Sequence, residues 1–201
     1  MLVNSIFTSI QGEGSWIGRL VTFVRLQGCS LGCPWCDTKE SWLKDKTKEM
    51  SISDILASIS TTRVVITGGE PTEQEQDLKK LLAELCKAGR LVQLESNGTY
   101  TDYKSLNCNW TVVSPKPATG YAFNPRGVDE LKYVVDDKFD IDTAIPESVR
   151  QCFAHRIWLQ PCDYPSNPSL TKSMYEKVIQ LVERDERLRA GIQLHKIYGV
   201  Q

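Results

Sequence analysis

Six short apolar runs, each closing on glycine or on a small polar cluster, limit what this chain can fold into more than any other feature. Residues 20–26 lead to Gly28, residues 64–67 to Gly68-Gly69-Glu70-Pro71, and residues 91–94 to Glu95-Ser96-Asn97-Gly98. Residues 110–113 lead to Ser114-Pro115-Lys116, residues 131–135 follow in the same style, and residues 156–159 lead to Gln160-Pro161. Helix-length patterns lie between some of them, at 53–60, 74–87 and 170–188, with Ser53 and Asp54 as N-cap candidates for the first. Strands alternating with such helices read as parallel βα units with right-handed crossovers. Six of them are too few for a closed eight-stranded barrel. The expected fold is α/β: a partial (βα)6 TIM-like barrel, open on one side. Connections 97–109 and 117–129 are too short, or too rich in glycine and proline, for full helices, so some outer helices should be missing. At 201 residues and 41% apolar content the chain suits one sizeable core, and a single domain over residues 1–201 is expected.

The glycine-rich and polar clusters fall repeatedly at the carboxyl ends of these strands. In parallel α/β sheets and barrels that edge is where ligands bind. Five strand ends pointing to one mouth predict an active-site rim.

One of those ends carries Cys29, Cys33 and Cys36 in a C-x3-C-x2-C loop, with Trp35 just before the last cysteine. Three thiolates on one short loop can hold three irons of a 4Fe–4S cluster and leave the fourth open to a small molecule. The same residues could close a zinc site with His155 or His195. Seven cysteines without a secretory signal argue against a disulfide framework. Cys86, Cys108, Cys152 and Cys162 read as small buried apolar residues, with Cys162 nearest the rim. The net charge of −1 points to neither nucleic acid nor an anionic membrane surface, and no run approaches the length of a membrane span. A cytoplasmic protein is expected.

The cysteine triad with Trp35, followed by Gly68-Gly69-Glu70-Pro71, resembles the radical S-adenosylmethionine superfamily. The resemblance implies that Cys29, Cys33 and Cys36 ligate a 4Fe–4S cluster. The methionyl group of S-adenosylmethionine then binds the open iron, and its reductive cleavage yields a 5′-deoxyadenosyl radical. Further motifs narrow it: Thr8-Ser9-Ile10-Gln11-Gly12-Glu13-Gly14, Arg25-Leu26-Gln27-Gly28-Cys29, Asp37-Thr38, Glu95-Ser96-Asn97-Gly98-Thr99, Ser114-Pro115-Lys116, Leu159-Gln160-Pro161 and Gln193-Leu194-His195-Lys196. Together they resemble the 7-carboxy-7-deazaguanine synthase family over almost the whole chain.

That resemblance implies ring contraction of a carboxylated tetrahydropterin with loss of ammonia, assisted by magnesium. Ile10, Gln11, Gly12 and Glu13 are then expected at the pterin, with Thr67 and His195 as further contacts. Gln201 is expected to reach the substrate through its free carboxylate. Arg25, inside an apolar strand, is expected to fork onto the substrate carboxylate, the other reading being an ion pair with Glu13 or Glu70. Trp35, Cys36, Asp37, Gly69, Glu70, Ser96, Ser114, Pro115, Lys116, Gln160, Pro161, Cys162 and Asp163 are expected around S-adenosylmethionine, and Thr38 on magnesium. A flavodoxin or ferredoxin as electron donor and a homodimer are also implied. Two rival readings remain at this point: a glycyl-radical-enzyme activase or other small radical enzyme, and a zinc-stapled binding module.

Overall fold

The computed structural model describes residues 1–116 and 123–200. One sheet of eight strands forms the frame, in the order β1 (Val3–Ile10), β2 (Leu20–Leu26), β3 (Arg63–Gly68), β4 (Leu91–Ser96), β5 (Trp110–Val113), β6 (Glu130–Val135), β7 (Ile157–Pro161) and β8 (Leu188–Ala190). Spatial order equals chain order, as in a barrel wound in one direction, and β1 and β8 are left as open edges. Strands β2 to β7 are the six expected from the apolar runs, and every pairing from β2 onward is parallel. The structure adds two strands to that expectation. β1 pairs antiparallel with β2, and β8 begins at Leu188, where the last helical pattern was expected to end.

The helical layer is incomplete, as expected. It contains α1 (Ile52–Ala57), α2 (Glu75–Lys87), α3 (Ile141–Ala144), α4 (Glu147–Cys152), α5 (Pro168–Arg184) and α6 (Leu194–Tyr198). Connection 97–109 holds only a 3-10 turn at Tyr103–Leu106; that at 117–129 lies partly outside the described residues. α1 is shorter than expected and is capped by Ser51 rather than Ser53 or Asp54: the Ser51 hydroxyl accepts from the Asp54 amide at 3.1 Å. α5 stops at Arg184 because Asp185 turns extended.

Strand alternation sorts side chains into two environments. Val24, Leu26, Val64, Ile66, Val92, Leu94, Leu131, Tyr133, Ile157 and Leu159 face the helices, where they meet Leu78, Leu81, Leu85 and Val178 in the main core. The opposite face looks into the barrel. Its apolar part is small: Val21, Phe23 and Val65, with Phe7 and Trp16 packed against them. Further along the same strands this face turns polar, through Arg25, Thr67, Glu95, Lys132 and Gln160. The apolar floor supports a polar mouth, and the mouth is the rim predicted from sequence.

Among the described residues no helix is long and apolar enough to cross a membrane. Two of the four scattered cysteines depart from expectation. Cys162 is buried and Cys108 half-buried, but Cys86 and Cys152 are exposed. Cys86 follows the last core-facing leucine of α2, Leu85, and so falls on the outer side; Cys152 ends α4, which buries no residue.

Candidate active site

A cavity of about 1010 Å³ opens at the carboxyl ends of the strands. Cys29, Cys33, Trp35, Cys36, Asp37, Thr67, Gly69, Ser96, Ser114, Lys116, Gln160, Pro161, Cys162 and Asp163 all line it, as does Glu13 from the loop after β1. A smaller notch of about 320 Å³, lined by Arg150, Arg184 and Arg187 with Asp142 and Asp185, shares no residue with it.

The cysteine loop is folded back by the turn that follows it. The Gly28 amide donates to the Ser41 carbonyl (2.8 Å), the Cys29 amide to the Trp42 carbonyl (3.2 Å), and the Trp42 indole to Cys36 Sγ (3.3 Å). The Gly68-Gly69 turn packs directly on the start of this loop. A β-carbon at Gly69 would lie 2.0 Å from the Gly28 carbonyl oxygen, and the Glu70 amide donates to that oxygen at 2.6 Å. Gly68 sits at φ +129, where only glycine is comfortable, with the backbone of Leu26 against it. The sequence therefore needs both glycines, to bring two strand ends into contact beneath a ligand.

The three cysteines are free and half-buried, and no disulfide competes for them. Burial raises the Cys33 thiol, with the Lys116 ammonium pulling the other way. Among the described residues no three His, Cys, Asp or Glu side chains converge on a single ion position. Three thiolates that each meet a different iron need no such convergence. With an indole N–H already aimed at one sulfur and a side-chain-free turn beside the loop, the residues present fit a cluster and its nucleotide.

Glu70 does a different job from the one expected of it. Its carboxylate is 1% exposed and accepts from the Thr72 hydroxyl (2.7 Å), the Thr72 amide (3.1 Å), the Ser96 hydroxyl (2.9 Å) and the Asn97 amide (2.7 Å). Burial raises its pKa against the pull of these four donors. It ties the turn after β3 to the end of β4 and does not line the cavity. Pro115 does not face the cavity, while Lys116 reaches Ser114 Oγ at 2.6 Å. Gln160 and Asn97 each present a buried amide nitrogen with no hydrogen-bond partner among the described residues, and both line the cavity.

Arg25 and Thr38 meet beside the cysteine loop. Arg25 Nη1 donates to Thr38 Oγ1 at 2.9 Å, Thr38 Oγ1 donates to Asp37 Oδ1 at 3.0 Å, and the guanidinium lies 5.5 Å from the centre of the Phe7 ring. Neither expected carboxylate takes its charge: Glu13 pairs with Lys132, and Glu70 is held as above. Arg25 Nε is buried without a hydrogen-bond partner among the described residues, so one N–H stays ready for a ligand oxygen. Arg25 pairs in register with Thr67, which brings both to the same end of the barrel.

The loop after β1 is fastened residue by residue. Gln11 Nε2 donates to Glu95 Oε1 (2.9 Å), and Gln11 Oε1 accepts from the Glu13 amide (3.2 Å). The Leu194 amide donates to the Gly12 carbonyl (3.0 Å), which seats His195 against Gly12. Glu13 pairs with Lys132 at 2.5 Å and accepts from Gln193 Nε2 at 2.9 Å. Burial alone would raise the Glu13 carboxyl, but the Lys132 ammonium holds it below the usual range. Ile10 ends β1, and Gln201 lies outside the described residues.

Lys132, Glu95 and Gln193 are the residues that sequence reasoning passed over. Lys132 lay inside an apolar run and Glu95 inside a quoted motif, and only the strand register puts them together. Glu95 of β4 pairs with Val112 of β5, which pairs with Glu130 of β6; Lys132, two residues on, faces the same way.

This architecture and site match known proteins. Residues 23–116 match the family model of the radical SAM superfamily. A 7-carboxy-7-deazaguanine synthase from Synechocystis sp. is 32% identical over 99% of this chain and 93% of its own length. One from Aquifex aeolicus is also 32% identical, over 99% of this chain and 94% of its own. The crystal structure of QueE from Escherichia coli superposes with a TM-score of 0.64 at 29% identity, covering 96% of this chain and 93% of that one. The open parallel barrel with its cysteine loop defines a radical S-adenosylmethionine enzyme, which carries a 4Fe–4S cluster and S-adenosylmethionine. Within that class, the chain belongs to the 7-carboxy-7-deazaguanine synthase family.

Proposed function

We propose that this protein, as one catalytic unit over residues 1–201, converts 6-carboxy-5,6,7,8-tetrahydropterin to 7-carboxy-7-deazaguanine with release of ammonia. It then acts as a carbon–nitrogen lyase in 7-deazapurine (queuosine/preQ0-type) biosynthesis. The observation that carries this reading is the meeting of three elements at one cavity: the cysteine loop, the Gly68-Gly69 turn and the loop from Gln11 to Glu13. Its volume of about 1010 Å³ lies at the upper end of the roughly 300–1,000 Å³ usual for ligand pockets, which suits a cofactor and a substrate side by side.

The bound cluster and nucleotide supply reductive formation of an alkyl radical. The chain's part is to hold, orient and shield. Cys29, Cys33 and Cys36 hold the cluster; Trp35, Asp37, Gly69, Ser96, Ser114, Lys116, Gln160, Pro161, Cys162 and Asp163 surround the nucleotide, with Glu70 fixing the turn beneath it. Arg25 offers its buried Nε–H to the substrate carboxylate, and Gln11 and Glu13 accept from the donor edge of the pterin. Thr38, whose Oγ1 meets Arg25 and Asp37, would offer one hydroxyl oxygen to magnesium, the other ligands coming from the substrate carboxylate and water. We place His195 and Gln201 at the substrate, a flavodoxin or ferredoxin as electron donor, and a cytoplasmic homodimer that covers the open sheet edges.

The test is an anaerobic assay of reconstituted protein with dithionite, S-adenosylmethionine and 6-carboxytetrahydropterin, read by mass spectrometry. Several 7-carboxy-7-deazaguanine molecules per S-adenosylmethionine are expected. Deoxyadenosine without the deazapurine would overturn the substrate.

A further inference from the structure

We propose that Lys132 is a positioning residue that sets substrate specificity: it holds Glu13 and Glu95 side by side as two acceptors for the amino and amide N–H groups of the pterin. This rests on the function proposed above, and it adds a residue that no motif in the chain marks.

The geometry is that of a clamp. Lys132 is only 12% exposed, and its ammonium lies 2.5 Å from Glu13 Oε2 and 3.3 Å from Glu95 Oε2. The other oxygens of both carboxylates take side-chain amides: Glu13 Oε1 accepts from Gln193, and Glu95 Oε1 from Gln11 (2.9 Å) and Gln93 (3.0 Å). These three side chains count one ammonium against two carboxylates, with the Lys116 ammonium of the same cavity acting on Lys132 and Glu13 as well. All three residues line the cavity. Two acceptor carboxylates held side by side on a cavity wall select a ligand edge made of N–H donors, and a 2-amino-4-oxo pyrimidine ring has such an edge.

Glu130, two residues away on the same strand face, supports the same loop by different means. Its carboxylate accepts from the Ser15 amide (3.1 Å to each oxygen) and the Trp110 indole (3.2 Å), and a β-carbon on Gly14 would lie 2.1 Å from Glu130 Oε1. The interior face of β6 thus fixes the backbone of the loop through Glu130 and the charge of its functional side chain through Lys132. Removing the Lys132 ammonium leaves two carboxylates facing one another with nothing between them to hold them side by side.

The experiment measures binding of 6-carboxypterin and of 6-carboxylumazine, which has an oxo group in place of the 2-amino group, to reconstituted holoenzyme by calorimetry. Steady-state KM and kcat with 6-carboxytetrahydropterin are measured in parallel. Wild type should favour 6-carboxypterin by at least about tenfold, as a site built for a donor does. Lys132→Met should lose that preference and raise KM more than it lowers kcat, at full iron and sulfide content, and Lys132→Arg should restore both. If Lys132→Met does not fold, the double variant Lys132→Met, Glu95→Gln returns the group to its original net charge and is predicted to bind both ligands alike. Equal discrimination by wild type and Lys132→Met, or by wild type and the double variant, overturns the proposal. A wild type that neither binds 6-carboxypterin nor turns over its tetrahydro form overturns the function itself, so the two failures are distinct.

Discussion

Gly12 lies directly beneath His195: a β-carbon at position 12 would fall 2.0 Å from the imidazole Nδ1 and 3.0 Å from the His195 amide. The first strand's end and the last helix therefore meet only because position 12 has no side chain. Gly12→Ala should lift α6 from its seat. The expected cost is about 1–3 kcal/mol, read as a lower melting temperature, with a rise in KM for the pterin. A wild-type melting temperature and KM would show that α6 adjusts freely.

A second glycine controls the cofactor. The neighbour of Gly69 is backbone, the Gly28 carbonyl, which cannot rotate away as the end of a side chain can. Gly69→Ala should push the cysteine loop off the turn and reduce iron and sulfide content well below that of wild type after reconstitution. Full loading would disprove the tight contact.

Thiol chemistry separates the seven cysteines. Cys86 and Cys152 are exposed and should alkylate readily, whereas burial pushes the Cys108 thiol up to about 12 and should leave it unreactive near neutral pH. Cys29, Cys33 and Cys36 should be protected only after the cluster is built. Mass spectrometry of iodoacetamide-treated apo and reconstituted protein checks this, and Cys29→Ser, Cys33→Ser or Cys36→Ser should each abolish a stable cluster.

Acid stability carries the sign of Glu13. Its pKa is lowered in the folded protein from 4.5, so the stability it contributes is present above 4.5 and is lost as pH falls through the lowered folded value. Glu70 and Glu130 are raised by burial and act in the opposite sense, contributing below 4.5 and losing that contribution as pH rises. Glu13→Gln should therefore flatten the acid limb of a melting temperature–pH profile. An unchanged limb would mean that Lys132 does not hold the carboxylate.

Arg25 tests the substrate clamp. Lysine keeps the charge but loses the planar fork and the Nε–H, so Arg25→Lys should lower kcat/KM by roughly a hundredfold, about 2.7 kcal/mol. The cluster content should remain, since Arg25 touches Thr38 rather than a cysteine. A loss of less than about threefold would remove Arg25 from the substrate.

The sequence carried the fold where strands are buried on both faces, and lost it at the edges. β2 to β7 are apolar on the helix side and close on polar clusters, which made them visible. β1 pairs on one side only and is mostly half-exposed, so its asparagine, serines and threonine concealed it; β8 has three residues and buries one. The cysteine loop and the Gly68-Gly69 turn were legible because their chemistry is local. Glu70 was misread in detail because a carboxylate beside glycines suggests a ligand, while the donors that claim it, Ser96 and Asn97, come from another strand end. Lys132 was illegible for a related reason: its function exists only once β4, β5 and β6 are in register.

The fastening of Glu13 also has a kinetic meaning. Its link to Gln193 joins residues 180 positions apart and its link to Lys132 spans 119, whereas the contact between Gly69 and Gly28 closes a far shorter stretch. Closing longer loops costs more entropy before any contact rewards it. The cofactor cradle is thus positioned to form early in folding and the pterin-binding loop late.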